Sequence, residues 1–327
     1  MYHLITIGDA VIDTHVQIDN ASIQCGVDQQ NCQLCFDYAS KIPISGSFQC
    51  LGGNATNVAV GATRLGLNTA IFSSVGNDSN GEMVIDELRK YGVNTSFVDL
   101  DIKSQTRYSI VLNYKSERTI LSYHAKRKYV WPQNVPPMDW IYYTSLSEGF
   151  EIMQRKLINF LDTYPTVRLA INPGSYQIKN ALKTLSKIFK KTDILFVNLE
   201  EAEKIACLTL AKAKTISAII HKLLEKGVKE VVITDSIRGA WAGNTEEIWH
   251  METYPVEVVS KTGAGDAFSA GYLSARFYNH DLPNALAWGT ANSCGTIVKY
   301  GPHDGLLEKK QIKKMIAKFP KIKPKLV

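Results

Sequence analysis

The stretch from Val259 to Gly271 reads VSKTGAGDAFSAG and sets one carboxylate, Asp266, directly behind Gly263, Ala264 and Gly265 at the start of a helical pattern. Glycines in such a turn let a ligand lie against the backbone. The N–H groups of a first helical turn lack intrahelical partners and attract phosphate oxygens. The same residues also describe an ordinary capped helix. Asn198-Leu199-Glu200-Glu201 has an equally local reading, a cap followed by acids on the positive end of a helix dipole. Asp13 sits where a turn former would, and Asn57 inside a helical pattern. Cys32-Gln33-Leu34-Cys35 has the spacing of a zinc or redox pair, with Cys25 and Cys50 close by. The outer spacings are irregular, so these cysteines are read as reduced, unrelated thiols and not as a disulfide framework.

Hydrophobic periodicity supplies the elements that must carry these groups. Tyr2 to Ile7 is a short apolar run that ends at Gly8-Asp9, as a buried strand meeting a turn does. From about Asp13 to Phe48 polar and apolar residues alternate between turn signals, which predicts short antiparallel strands. Ala55 to Leu65 repeats at helical spacing, Gly66 closes the helix, and Thr69 to Val75 is a strand. The pattern recurs: a helix over Glu82 to Tyr91, a strand over Trp140 to Thr144, a helix over Gln154 to Leu161 and a strand over Arg168 to Ile171. Beyond these come a strand over Ile194 to Val197, a helix over Ile216 to Leu224 and a strand over Val231 to Thr234. Thr106 to Asn113 and Arg118 to Tyr123, around Tyr114-Lys115-Ser116-Glu117, form a hairpin pattern. Helices alternating with buried strands predict a doubly wound α/β fold. Its mainly parallel central sheet has helices on both faces, and ligands bind outside the carboxyl ends of the strands.

With 327 residues, 45% of them hydrophobic and 21% charged, the chain can bury a full core. The net charge is +6, much of the basic excess lying between Lys309 and Lys325. That tail has no recognisable reading module, which argues against nucleic acid as a partner. The amino terminus lacks a basic leader followed by a long apolar region and nothing later approaches a membrane span, so a cytoplasmic protein with no membrane partner is expected.

The 259–271 stretch resembles the carboxy-terminal signature of the ribokinase-like (PfkB) family of sugar and nucleoside kinases, D-T-x-G-A-G-D-x-F-x-x-G. Gly52-Gly53-Asn54-Ala55-Thr56-Asn57, followed by Arg64-Leu65-Gly66, is similar to the family's early glycine-pair signature, and Asn198 to Glu201 to its N-x-x-E. Gly8 to Asp13 and Val75-Gly76-Asn77-Asp78 extend the likeness over nearly the whole chain. The resemblance implies one ribokinase-like domain over 1–327 with a small β-sheet lid from about 14–50 and 105–124. It implies ATP and Mg2+ as partners, with a sugar or nucleoside as acceptor. Asp266 would be the base, with Gly263, Ala264 and Gly265 in the anion hole. Asp13, Gly52, Gly53 and Asn57 would hold the acceptor. Asn198 and Glu201 would act on the phosphates and, through water, on magnesium, with Glu201 the metal residue. The nucleotide base would rest near Thr234 to Gly239 and the loops flanking Asn292.

Two departures stand out. Ser236 occupies a place where the family often has glycine, and Ser260-Lys261 replace Asp-Thr, so the family's monovalent cation is in doubt. The Lys261 ammonium is expected to stand in for that cation. Phe36, Tyr38, Tyr108 and Tyr123 are candidates for an apolar substrate wall, which leaves sugar and nucleoside open. An ATP-dependent sugar kinase is the leading reading, ahead of a nucleoside kinase and of a non-catalytic sugar or nucleotide sensor. A dinucleotide-binding oxidoreductase is disfavoured because no G-x-G-x-x-G follows the first strand. Exposed strand edges in the lid suggest pairing of two lids in a homodimer.

Overall fold

A computed structural model describes residues 1–26, 32–115 and 117–327; residues 27–31 of the expected lid and Ser116 of the expected hairpin turn lie outside the described residues. The chain begins with β1 (Tyr2–Ile7), β2 (Val11–Ile18), β3 (Ser22–Cys25), β4 (Cys32–Cys35) and β5 (Ile44–Gly52). Then come α1 (Asn54–Arg64), β6 (Thr69–Gly76), α2 (Ser79–Lys90), β7 (Val98–Asp101), β8 (Arg107–Tyr114), β9 (Glu117–Tyr123) and β10 (Met138–Tyr143). The middle of the chain gives α3 (Phe150–Thr163), β11 (Arg168–Ile171), α4 (Ser175–Leu185), β12 (Ile194–Asn198), α5 (Leu199–Ala206), α6 (Leu210–Ala213), α7 (Ile216–Leu224) and β13 (Glu230–Thr234). It ends with β14 (Ala240–Gly243), β15 (Ile248–Met251), α8 (Ala264–Phe277), α9 (Leu282–Ile297), α10 (Lys309–Lys318) and β16 (Lys325–Leu326).

The large sheet has the order β16-β15-β14-β13-β12-β11-β10-β1-β6-β7, parallel from β13 to β7 and antiparallel at the β14–β16 edge. Strand side chains alternate, so Ile5, Ile7, Ile141, Tyr143, Leu195 and Val197 face one layer, with Phe150, Leu157, Ile205, Ile219 and Leu223 from α3, α5 and α7. Leu4, Trp140, Tyr142, Ile194 and Phe196 face the other, with Val58, Tyr272, Leu273, Ala291 and Ile312 from α1, α8, α9 and α10. Burial on both faces is why these strands read as unbroken apolar runs. The doubly wound α/β class expected from the sequence is what the chain adopts. Consecutive strands leave β1 in opposite directions, to β6 and to β10, and a topological switch point of this kind opens a crevice at the carboxyl end of β1.

A second, four-stranded sheet has the order β5-β2-β8-β9. The expected antiparallel pairing holds for β2 with β5, β3 with β4 and β8 with β9, whereas β2 and β8 pair in parallel. The base of this sheet is tied to the main body by a buried ion pair. Arg107 bonds Asp9 and Ser147, its guanidinium also donates to Ala125 O at 2.9 and 3.0 Å, and Tyr129 Oη donates to Asp9 at 2.9 Å. The cysteine expectation is corrected here. Cys25 and Cys32 are opposite each other across β3 and β4, Cα atoms 4.0 Å apart, and form a disulfide. Cys32 and Cys35, three apart on a strand, project to opposite faces, and Cys35 and Cys50 are free thiols. No group of three or more potential metal ligands occurs among the described residues, and none of their helices is long and apolar enough to cross a membrane.

Candidate functional site

Asp266 stands in the first turn of α8, whose cap Gly263 has φ 74°, a left-handed conformation open to glycine at low cost. A methyl group there would also meet Pro302 Cβ at 2.6 Å. Ala264 N–H closes the turn on Lys261 O at 3.4 Å and Ala267 N–H bonds Gly263 O at 2.8 Å. Gly265 and Asp266, between them, precede the i→i−4 ladder, and they stand at a face where a methyl at Gly265 would meet nothing within 4 Å.

Across this face runs α1, capped by Gly53 at φ 102°. Gly61 of α1 lies so near α8 that a methyl on it would come within 2.7 Å of Ala270 Cβ. That close packing brings Asn57 to Asp266, Nδ2 donating to Oδ2 at 2.8 Å, while the buried Asn57 Oδ1 has no partner among the described residues. Asp13 projects from β2 toward the same cleft, and glycine is required at Gly52, opposite Val11, because a Cβ there would sit 2.3 Å from Asp13 Oδ2. Burial pushes the Asp266 carboxyl up to about 7, with the charges of Glu201 and Asp13 adding to the rise and the Asn57 bond opposing it. Burial also raises Asp13, against the Ser109 hydroxyl and the Arg118 charge. It raises Glu201 as well, against the Asn198 N–H.

Asn198 and Thr234 lie side by side at the carboxyl ends of β12 and β13. Asn198 caps α5 reciprocally with Glu201: Asn198 Oδ1 accepts from Glu201 N–H at 2.9 Å and Glu201 Oε2 accepts from Asn198 N–H at 3.0 Å. The local capping reading is therefore realised, and it leaves Asn198 Nδ2 and Glu201 Oε1 outside the box. The Thr234–Gly239 turn is held by Asp235 N–H on Gly239 O at 2.8 Å and by Arg238 Nε on Asp235 Oδ2 at 2.6 Å. Ser236 stands at φ 47°, the region that explains a glycine preference at this place.

Three expectations are corrected. Asn292 is flanked by no loops: it is fully buried within α9, donating to Ala267 O at 2.7 Å and accepting from Leu307 N–H at 2.9 Å. Lys261 is exposed, its ammonium 3.7 Å from Glu117 Oε1 of the small sheet and with no other ion-pair partner among the described residues. Tyr108 and Tyr123 pack on each other on the outer face of the small sheet, one residue out of phase with Asp13 and its partner Ser109, and Phe36 and Tyr38 are exposed beyond it. The cleft-side ring pair is instead His15 and Phe48, stacked 4.6 Å apart in the register of Asp13. Sequence reasoning also missed Arg118, whose Nη1 donates to Thr262 Oγ1 at 2.6 Å. Period-two counting from Ser109 through the hairpin would have put it on the Asp13 face.

The model of the pfkB family carbohydrate kinases matches residues 16–309. An ATP-dependent 6-phosphofructokinase of Thermoanaerobacterium thermosaccharolyticum is 25% identical over 313 residues, 89% of this chain and 87% of that protein. Among solved structures, a nucleoside kinase of Methanocaldococcus jannaschii described as an archaeal member of the ribokinase family superposes with a TM-score of 0.79 at 20% identity, over 97% of this chain and 99% of that one. An Arabidopsis thaliana ribokinase complexed with ribose and ATP gives a TM-score of 0.78 at 18% identity, over 96% and 98% of the two chains.

Proposed function

The chain belongs to the pfkB family of carbohydrate kinases, and on that premise we propose that it moves the γ-phosphate of ATP to a hydroxyl of a small sugar, in the manner of a ribokinase or fructokinase. The observation that carries this reading is the Asn57–Asp266 pair: a carboxylate oriented at 2.8 Å by an amide whose own oxygen is buried and unpartnered. Asn57 Oδ1 accepts from an acceptor hydroxyl, and Asp266 takes the proton of the hydroxyl that reacts. In loose phosphoryl transfer the proton leaves late, so position matters more than base strength. The first-turn N–H groups of Gly265 and Asp266 meet charge developing on the transferred phosphoryl. Asp13 accepts from further hydroxyls, with Gly52 and Gly53 giving the ring room against the backbone.

The charges of Glu201 and Asp13 both act unfavourably on an ionised Asp266, so the cleft favours a cation held through few protein ligands. Magnesium, which keeps several waters and is held by few carboxylates plus phosphates, fits Glu201 as its residue, with Asn198 Nδ2 toward the phosphates. Bound there it neutralises phosphate charge. The base lies by Thr234 and Gly239, where Ile237, 87% exposed, offers an apolar surface. The small sheet acts as the lid of a single domain in a cytoplasmic enzyme.

A nucleoside acceptor is the second reading, favoured by the His15–Phe48 stack beside Asp13. Coupled ADP release with Mg-ATP over a panel of sugars and nucleosides separates the two. Turnover of one class, abolished by Asp266→Asn, supports the kinase; nucleotide binding without any turnover defeats it in favour of a sensor.

A further inference from the structure

The β8–β9 hairpin makes two contacts with the turn that precedes the anion hole, and one involves a guanidinium. Arg118 is opposite Asn113, which is opposite Gln17 on β2; counting back in twos along β2 reaches His15 and then Asp13, so Arg118 shares the cleft-side face of the small sheet. Its charge acts on both Asp13 and His15. Its Nη1 donates at 2.6 Å to the hydroxyl of Thr262, the residue next to Gly263. Arg118 thus lies between the carboxylate proposed to hold the acceptor and the turn proposed to hold the transferred phosphoryl.

The partners of this guanidinium hold it without neutralising it. Thr262 Oγ1 accepts also from Ser260 Oγ at 3.2 Å, so the anchor is a chain of two hydroxyls. A carboxylate at position 260 would compete for the cation. The other cation of this turn, Lys261, is engaged with Glu117. A guanidinium has five N–H donors in a planar fork suited to phosphate oxygens, and the Thr262 bond occupies one. Around it the cleft is otherwise acidic, with Asp13 and Asp266, whereas phosphoryl transfer requires positive charge where the equatorial oxygens develop theirs.

Resting on the kinase reading, we propose that Arg118 completes the anion hole from the lid: when the hairpin docks on Thr262, the remaining N–H groups of Arg118 bind the phosphoryl group in transit. Chemistry then waits for lid closure, because the cation arrives with the lid. The phosphoryl passes from ATP to the acceptor hydroxyl, ADP leaves, and Arg118 changes neither its protonation nor its bonding.

The test uses the native protein, Arg118→Ala, Arg118→Lys and Glu117→Gln, each assayed by ADP release on the acceptor that the native protein turns over fastest. Removal of one such donor typically costs about 100- to 1000-fold in kcat. We expect Arg118→Ala to lose that much in kcat with the acceptor KM changed less than threefold, Arg118→Lys to lose less, and millimolar guanidinium to restore Arg118→Ala at least tenfold. Binding of ADP with aluminium fluoride and magnesium, a mimic of the phosphoryl in transit, should weaken at least 100-fold in Arg118→Ala, and binding of ADP alone should stay within threefold. Glu117→Gln breaks the other hairpin contact and should keep kcat within twofold. A kcat of Arg118→Ala within threefold of native, a loss confined to KM, or an equal loss in Glu117→Gln would overturn the proposal and leave the kinase reading intact. A native protein that turns over no sugar or nucleoside overturns both.

Discussion

Asn57→Ala isolates the one contact that holds the Asp266 carboxylate in its ionised form. Burial and the neighbouring carboxylates push that group up to about 7, and the Asn57 bond is the opposing influence. A hydrogen bond to a charged group is worth about 1.5–3 kcal/mol, and one unit of pKa corresponds to about 1.4 kcal/mol. Losing it should raise the Asp266 pKa by about one to two units. The base acts when ionised, so kcat/KM rises with pH through this pKa to a plateau. The assay is kcat/KM for the acceptor at saturating Mg-ATP between pH 5.5 and 9.5 (range chosen to bracket a pKa of about 7 and its shift). Asn57→Ala also removes an acceptor contact and lowers the whole curve, so the horizontal displacement is the diagnostic quantity. A limb that stays in place, or moves to lower pH, would refute the reasoning that Asn57 holds the base ionised.

Asp266→Asn should abolish turnover yet stabilise the fold above neutrality. The folded-state pKa is raised, so the stability the acid contributes is fully present below its unfolded value of 3.8 and is lost as pH rises through about 7. Melting temperatures at pH 8 should exceed native by an amount equivalent to at most about 4 kcal/mol, while the two proteins converge near pH 4. Gly239→Ala places a methyl 2.0 Å from Met251 O at φ 91° and should cost more than 3 kcal/mol in denaturant unfolding, at the high end for single substitutions. Asn292→Ala leaves Leu307 N–H without its partner, while Ala267 O keeps its place in the α8 ladder. Stability should fall by about 1–3 kcal/mol, with the KM for ATP of the folded protein within twofold of native. Tyr108, Leu121 and Tyr123 expose apolar surface on the outer face of the small sheet, and if two lids pair there, Leu121→Lys should shift sedimentation toward the monomer.

Where one residue type at a fixed spacing has one local cause, the sequence was readable: the strand over Tyr2 to Ile7 and the helix after Gly53 fall where periodicity puts them. It was least readable where an element is buried all round. The helix α9 is packed against α8 on one side and the β14–β15 edge on the other, so it has no polar stripe to mark its period, and the family resemblance alone placed loops around Asn292. Inside that helix it serves the opposite end, bridging Ala267 O of α8 to the N–H of Leu307. The disulfide was hidden for a different reason. The C-x-x-C spacing directs attention to Cys35, whereas pairing depends on the register of two four-residue strands that only the fold supplies.

The candidate site shows the same division. Asp266, Asn57 and Asp13 were each legible as residues, but a one-dimensional motif cannot show that α1 and α8 approach closely enough at Gly61 and Ala270 for Asn57 to bond Asp266. Nor can it place Arg118, which is separated from Thr262 by 144 residues of chain and meets it only through the parallel pairing of β2 with β8. Lys261, adjacent to the motif in sequence, pairs with Glu117; Arg118, remote in sequence, takes the place beside the turn. On the proposed reading, the strand face that the small sheet presents to the turn, and not proximity along the chain, decides which cation meets the phosphoryl group.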